Sequence, residues 1–506
     1  MDEMKQPNPA PESAWPPAPP PAPALPAGRR EAGFAGAVLV IALLMANCVL
    51  MGGFQLGFAL TAAASLIAGW VYLRSTGRRP GWYENCLLGL SVAIALGFAR
   101  ADDGFVKFIL LLFLLIGGNL GLCLAAGQNR RRSGSAASVL DAPRAAWTLG
   151  IGRISPAMRG LFSGLRAGGR CAKSAGAVLL GAVIAAPLLT IVIALLASAD
   201  AAFDSLMGML PEFDLSQLVL TAIFGALLFG WLYTRGVALG RGETPAAAEE
   251  TPGRLSPLTV NTVLGAVAAV YAVYLFSQLG YLSGGFAGIL PEGYTPAQYA
   301  RRGFFELAVL CGINLGILAL GIGLVRKQPV APRSTRVLCL VVGLATLFLA
   351  AAESAKMLLY IRAFGLTRLR VLTEVITLWL GLTTLMVMIW LFAPKFPYMR
   401  AVMLSAMVLG CAVLWTDVDT LVAGYNVSAY QSGALAEIDL DYLGSLSSGA
   451  LPAIARLTED ADPTVASGAK AILANAYVPS GDLRSWNWAD SAARSLLDGL
   501  SRETAE

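Results

Sequence analysis

The sequence predicts an all-α integral membrane protein, a bundle of about eleven transmembrane helices with a small extracytoplasmic helical C-terminal tail. Of the 506 residues, 56% are hydrophobic and only 14% are charged, whereas about a quarter of the residues of a soluble domain are charged. Apolar runs of transmembrane length follow one another, and about 20 helical residues cross a hydrocarbon core of about 30 Å. The chain contains no histidine, which excludes histidine-dependent catalysis and histidine metal ligands.

A proline- and alanine-rich tail, residues 1–33, precedes the first apolar run. Ten prolines lie between Pro7 and Pro26, and this composition favours an extended polyproline II conformation over a packed core. The apolar run begins too late for a signal peptide. We therefore expect a disordered cytoplasmic tail.

Eleven apolar segments are predicted to be transmembrane helices, because lipid cannot satisfy an exposed backbone and the alternating pattern of a membrane barrel is missing. They are residues 34–51, 54–73, 82–99, 105–126, 176–198, 218–239, 257–282, 304–325, 337–360, 373–393 and 401–420. The chain then divides into spans 1–4 in residues 34–126, a basic loop in 127–175, spans 5–11 in 176–420 and a tail in 421–506.

The distribution of lysine and arginine predicts the orientation of the bundle. Alternate loops contain 24 of the 37 basic residues, and the opposite loops carry acids such as Asp102 and Asp103. This predicts a multi-pass membrane protein with the N-terminus inside and the C-terminus outside. The basic loop either lies on anionic lipid as an amphipathic helix at residues 147–162 or stays solvated. It lacks the aromatic pattern of nucleic-acid binding, so lipid is the expected partner.

The tail is predicted to form four short helices, at residues 442–446, 451–458, 463–476 and 489–501. Asp462 or Pro463 would begin the third helix. The tail is too small and too weakly apolar to form an independent enzyme domain. We expect it to pack on the outer face of the bundle.

Charged residues at membrane depth gather near the outer end of the later spans. Such residues are costly in lipid and usually face protein or water. Glu353 and Lys356 lie three residues apart in the ninth span and share a helical face with Tyr360. Counting about 1.5 Å per residue places Glu306 and Asp417 at a similar depth.

The loop between the ninth and tenth spans contains three arginines, which departs from the positive-inside trend. Gly365 suits a helix C-cap and Thr367 suits the next N-cap. Arg368 and Arg370 lie near a helix N-terminus, where the helix dipole disfavours cations. We therefore expect an anionic group nearby, and the candidates are Glu374 for Arg370, together with Glu353, Glu306, Asp417 and a lipid phosphate.

These residues define a candidate ligand site, which consists of Arg302, Glu306, Glu353, Lys356, Tyr360, Arg362, Arg368, Arg370, Glu374 and Asp417. Three interpretations stay open. The charges fix helix packing and loop geometry, or they form an outward-facing pocket for an anionic or lipid ligand, or Glu353 and Lys356 relay protons. The seven cysteines are scattered, and no metal-ligand, nucleotide or catalytic motif is recognisable, so we expect no metal, no cofactor and no catalytic residue.

Several short segments carry a resemblance to a known family. Residues 299–307 (YARRGFFEL), 364–370 (FGLTRLR) and 419–426 (DTLVAGYN) resemble the boxes YAxxGFxEL, YGLTxLR and DxLVARYN, with Gly424 in place of an arginine. Residues 439–443, 450–452 and 486–488 also fit. The family is a bacterial membrane-protein family known only as domain of unknown function 4173, related to 4153. The resemblance covers roughly residues 176–500 and implies a polytopic protein of the bacterial cytoplasmic membrane without an established activity.

The leading interpretation is a non-enzymatic protein of transport or cell-envelope support whose outer cluster binds an anionic or lipid ligand. A structural or regulatory scaffold without a ligand is the first alternative. The second is a membrane enzyme that acts on a lipid-linked substrate through Glu353, Glu306 or Asp417. A transporter needs a cavity that reaches toward the midplane, a lipid enzyme needs a lateral opening beside the carboxylates, and a scaffold needs neither.

Overall fold

The computed structural model describes residues 29–100, 102–127, 192, 215–241, 255–286, 304–324, 332–478 and 482–503. These ranges consist mainly of α-helices. Residues 1–28 of the predicted N-terminal tail, the predicted basic loop after residue 127 and almost all of the predicted fifth span, 176–198, lie outside the described residues.

The bundle is built from ten described helices. They are α1 Arg29–Gly52, α2 Leu56–Ser75, α3 Trp82–Gly97, α4 Gly104–Ala125, α5 Leu215–Arg241, α6 Pro257–Phe286, α7 Phe304–Leu324, α8 Arg333–Phe364, α9 Arg368–Phe392 and α10 Tyr398–Thr416. Within the described ranges, 8 are long and apolar enough to cross a membrane, while α3 and the 309–319 part of α7 are shorter apolar helices. The predicted count of about eleven spans is therefore not confirmed.

Hydrogen bonds show which helix ends lie together at each of the two ends, or levels, of the bundle. At one level the tail reaches the bundle, since the Gly57 amide donates to the carbonyl of Arg484 at 3.0 Å and the Trp488 amide donates to that of Ala99 at 2.9 Å. At the other level Arg30 of α1 donates to the carbonyl of Ser75 at 2.7 Å. Among the first four helices, connections that the sequence predicts on one side of the membrane thus lie at one end of the bundle. We call the end that contacts the tail the tail end.

The last spanning helix is shorter than predicted. The span predicted at residues 401–420 ends at Thr416, and a new helix, α11 Val418–Gln431, follows at once. The break is at Asp417, whose φ of 54° lies in the left-handed region that L-residues with a side chain rarely adopt. Asp417 therefore lies at a helix junction rather than inside the eleventh span, where the sequence had placed it.

The tail forms α12 Leu440–Gly444, a 3-10 turn Ser448–Ala450, α13 Leu451–Ala455, α14 Pro463–Ala474 and α15 Trp488–Glu503. The four predicted tail helices thus have counterparts, and Asp462 caps α14 as predicted by accepting from the Thr464 amide at 2.8 Å. Helix α11 was not predicted. One face of it, Val418 and Val422, packs in the bundle core, and Val427 packs in the tail core, so α11 joins the two.

Candidate functional site

Arg368 lies at the centre of a charged cluster at the tail end of the bundle. Its Nε is 2.5 Å from Oδ1 of Asp419, its Nη2 donates to Oδ2 of Asp419 at 2.5 Å, and Oδ2 of Asp103 is 3.0 Å from Nε. Asp419 is fully buried. Asp103 also caps α4 by accepting from the Val106 amide at 2.6 Å. Two protein carboxylates therefore offset the charge that the sequence left unexplained.

The tail supplies further contacts to this cluster. The Arg368 amide donates to the hydroxyl of Tyr442 at 2.8 Å, and the Ser447 amide donates to Oδ2 of Asp419 at 2.8 Å. Burial favours the neutral form of Asp419, but the hydrogen bonds from Arg368 and Ser447 outweigh it and hold the pKa of Asp419 below its ordinary value. Asp419 is therefore ionised at neutral pH and binds α9 to the tail.

A second contact joins the two segments that resemble family boxes, residues 364–370 and 419–426. Oδ1 of Asn426 accepts from the Leu366 amide at 2.6 Å, and its Nδ2 donates to the Leu366 carbonyl at 2.9 Å. Gly365, predicted as the C-cap of α8, has a φ of 73°, and a Cβ there would lie 2.5 Å from Oδ1 of Asn426. Glycine is thus required both by the backbone conformation and by the neighbouring side chain.

Arg370 stabilises the C-terminus of α8. Its Nη1 donates to the carbonyl of Phe364 at 3.0 Å and also to that of Gly365, and its guanidinium lies 4.1 Å from the ring centroid of Tyr360. A cation at the carbonyl end of a helix is favoured by the helix dipole. Thr367 caps α9 as predicted, accepting from the Arg370 amide at 3.3 Å. Arg362 is exposed in the last turn of α8.

Asp417 lies beside the tail at the junction of α10 and α11. It is 2% exposed, its Oδ2 is 2.8 Å from the Thr420 hydroxyl, and that hydroxyl is 3.0 Å from the Gly449 carbonyl. Its Oδ1 has no hydrogen-bond partner among the described residues. Burial raises the pKa of Asp417. A Cβ at Gly449 would lie 2.7 Å from the carboxylate, so only glycine allows this approach.

A second acidic group lies between α8 and α9 within the spanning region. Glu353 is fully buried, and its Oε1 accepts from the Thr377 hydroxyl at 3.3 Å. Oε2 of Glu353 and Oε2 of Glu374 are buried and have no hydrogen-bond partner in the described part of the chain. Within the described ranges, Glu374 and Lys356 are the charged groups that act on Glu353. The structure thus brings together three residues of the predicted site.

A cavity of about 440 Å³ lies between α6, α7 and α8. Its lining is almost entirely apolar and includes Ile313 and Leu349. Its polar wall is a hydrogen-bonded chain in which the Tyr271 hydroxyl donates to Oδ1 of Asn314 at 2.7 Å and Nδ2 of Asn314 donates to the Thr346 hydroxyl at 2.9 Å. Leu349, Asn314 and Tyr271 each lie near the middle of their helices, so the cavity is at mid-height in the bundle.

The side chains of two predicted site residues lie outside the described part of the chain. Arg302 lies outside the described residues, and only the backbone of Glu306, near the start of α7, is described. The site prediction in turn omitted Asp103 and Asp419, the two carboxylates that bind Arg368. Asp419 opens the box at 419–426, and Asp103 belongs to an acidic pair between spans, so both had a signal in the sequence. Neither signal indicated which arginine they would meet.

The apolar helices and the buried charges between them define a membrane-embedded, all-helical protein. A family model described as Domain of unknown function (DUF4153) matches residues 86–457, and the chain belongs to this family. The match contains the Arg368 cluster and the cavity, and it ends before the tryptophan pair at residues 486 and 488. The related family 4173 is not confirmed. Neither the curated proteins nor the solved structures provide a significant match.

Proposed function

We propose that this protein handles an anionic lipid in the bacterial cytoplasmic membrane, in transport or in support of the cell envelope. The observation that carries the proposal is the mid-height apolar cavity. Leu349 of α8 lines this cavity, and polar residues follow Leu349 on the same face of α8 toward the tail end. A cavity at this depth is the feature that separates a transporter from a scaffold.

The length of this α8 face fits one leaflet of a bilayer. Leu349, Glu353, Lys356 and Tyr360 follow one another at helical spacing and so share a face. Leu349 lines the cavity, and Tyr360 lies about 16 Å farther along the helix, at about 1.5 Å per residue. Half of a hydrocarbon core is about 15 Å. An acyl chain in the cavity would therefore place its headgroup at the level of Tyr360.

The cations at that level suit an anionic headgroup. Arg370 lies over the ring of Tyr360, and Arg362 is exposed in the same turn of α8. Arginine binds phosphate oxygens through several donors in a planar arrangement. Arg368 takes no part in this proposal, because Asp419 and Asp103 already bind it.

The distribution of basic residues supports an orientation in which the tail end faces outward, since the segments that the sequence predicts to be cytoplasmic contain 24 of the 37 lysines and arginines. The lipid would then belong to the outer leaflet. The N-terminus would be cytoplasmic and the tail extracytoplasmic.

A structural scaffold is the second candidate, and one observation favours it. The Arg368 cluster and the Asn426 contact bind α9, α11 and the tail to each other without any ligand. A scaffold would need these contacts and would not need the cavity.

Native mass spectrometry of gently purified protein tests the proposal. Ile313 lines the cavity and is 50% exposed, while Val309 lies one turn away on α7, is 60% exposed and does not line it. We expect Ile313→Trp to lose bound anionic phospholipid and Val309→Trp to keep it. Arg370→Gln should weaken retention of anionic lipid more than that of zwitterionic lipid. No bound lipid in the wild type, or equal retention in both tryptophan variants, would contradict the proposal and favour the scaffold.

A further inference from the structure

We propose that Glu353, Glu374 and Thr377 form a buried site for one monovalent cation, either a proton or Na⁺. Its role in transport rests on the proposed function, but the site itself is argued from its own geometry. It lies between α8 and α9, about two thirds of the way along α8 from Arg333.

The first argument is the state of the carboxylate oxygens. Glu353 and Thr377 are 0% and 1% exposed, and the only described hydrogen bond of Glu353 is the one from Thr377 to Oε1. Oε2 of Glu353 and Oε2 of Glu374 are both buried without a partner among the described residues. A buried carboxylate oxygen without a partner is strongly unfavourable. A bound cation or proton would give the fully buried Glu353 carboxylate the partner that its Oε2 lacks.

The second argument is a count of charges. Among the described residues, the charged groups that act on Glu353 are Glu374 and Lys356, and the Cys311 thiol of α7 is near enough to interact electrostatically with the same carboxylate. Two carboxylates and one ammonium leave one negative charge around the fully buried Glu353, even when Lys356 is paired with one of the two carboxylates. One proton or one monovalent cation neutralises the group.

The third argument is the chemistry of the ligands. Two carboxylates and a hydroxyl offer only oxygen atoms, and oxygen ligands suit hard cations such as Na⁺. The Thr377 hydroxyl, which donates to Glu353, keeps lone pairs for a cation. In the spanning region ionisable residues commonly mark the path of a proton or an ion.

Occupancy of this site would affect the lipid that we propose to move along α8. Glu353 lies on the same face as Leu349 and Tyr360, between the cavity and the headgroup level. The empty site carries a negative charge that repels an anionic headgroup, and the occupied site is neutral. Binding of the cation would thus favour passage of the lipid, which is the linkage that a coupled transporter requires.

The test measures thermal stability of the purified protein in detergent, without added lipid, in Na⁺, K⁺ or choline chloride at equal ionic strength and over a series of pH values. If Na⁺ is the ligand, we expect Na⁺ to raise the Tm of the wild type over choline. If a proton is the ligand, the Tm of the wild type should instead rise relative to that of Glu353→Gln as the pH falls, because the folded wild type binds one proton more. Glu353→Gln loses the response, whereas Glu437→Gln, at an exposed tail position, keeps it.

Two further variants separate the outcomes. Thr377→Val removes a cation ligand and leaves both carboxylates, so it should lose the Na⁺ response and keep the proton response. Glu374→Gln replaces Glu353→Gln if the latter does not fold. A wild type that responds to neither Na⁺ nor pH, or a Glu353→Gln variant with the wild-type response, would overturn the site. If the cation response is present but Ile313→Trp retains lipid like Val309→Trp, the cation site stands and the proposed lipid function fails.

Discussion

Replacing Arg368 with alanine should release the tail from the bundle. The change leaves the carboxylate of Asp419, which is 0% exposed, and that of Asp103, 6% exposed, without their cation. Removing one partner of a buried ion pair costs about 3–5 kcal/mol. The Arg368 side chain is itself 32% exposed, so solvent screens part of the interaction. We therefore expect a loss of about 3 kcal/mol in the free energy that holds the tail and α9 together.

Limited proteolysis provides the assay, because cleavage in the tail follows the population of the opened form when opening is fast. A loss of about 3 kcal/mol raises that population about 150-fold. Arg362→Ala is the matched control, since Arg362 is an exposed arginine at the end of α8, just before the loop that leads to Arg368, and a surface change alters stability by about 0.5 kcal/mol or less. Asp419→Asn in the Arg368→Ala background should restore part of the loss. Equal cleavage of the two arginine variants would refute the reasoning.

Two more predictions concern the same end of the bundle. Gly365→Ala should lower Tm more than Gly433→Ala, because both have positive φ but only the Gly365 position would bring a Cβ within 2.5 Å of Asn426; an equal loss would show that the contact is unimportant. The pH dependence of the free energy of unfolding should change in opposite ways in Asp417→Asn and Asp419→Asn. Burial raises the pKa of Asp417, so the folded protein keeps a proton that the unfolded chain releases above about pH 3.9. The wild type therefore loses stability as the pH rises through this range, and Asp417→Asn should remove that loss. The pKa of Asp419 is lowered, so its contribution to stability is present above the pKa of the unfolded chain and is lost as the pH falls. Asp419→Asn should remove that loss at acid pH. Equal pH profiles of the two variants would contradict both assignments.

The fold could be predicted from the sequence to the extent that local rules determine it. Apolar runs of sufficient length located the 8 described helices that could cross a membrane. Cap residues located helix ends at Gly365, Thr367 and Asp462. The break at Asp417 could not be predicted in this way. The predicted span continues to Thr420, but the helix ends at Thr416, where Asp417 takes a positive φ. The Asp417 carboxylate contacts the Thr420 hydroxyl, which in turn contacts the Gly449 carbonyl of the tail.

For the candidate site as well, the sequence predicted features that depend on local spacing but not contacts between distant residues. Helical spacing placed Glu353 and Lys356 on one face, and the dipole argument required an anion near Arg368. Nothing in the spacing could indicate that this anion is Asp419, 51 residues away in the chain, rather than Glu374 or Glu353. The pairing depends on how α11 returns toward α9, which is set by the break at Asp417.

The Arg368 cluster and the buried acids Glu353 and Glu374 are structurally linked, because the loop between α8 and α9 positions both helices. Arg370 holds the C-terminus of α8 through the carbonyls of Phe364 and Gly365, and Arg368 holds the N-terminus of α9 through Asp419. The separation of α8 and α9 is therefore fixed at the tail end, and Glu353 and Glu374 lie on these two helices within about three turns of it. A cation site built from one carboxylate on each helix depends on that separation. The contacts that favour a scaffold are thus the ones that a cation site between α8 and α9 would require, so Asp419→Asn should weaken the Na⁺ or proton response although Asp419 does not bind the cation.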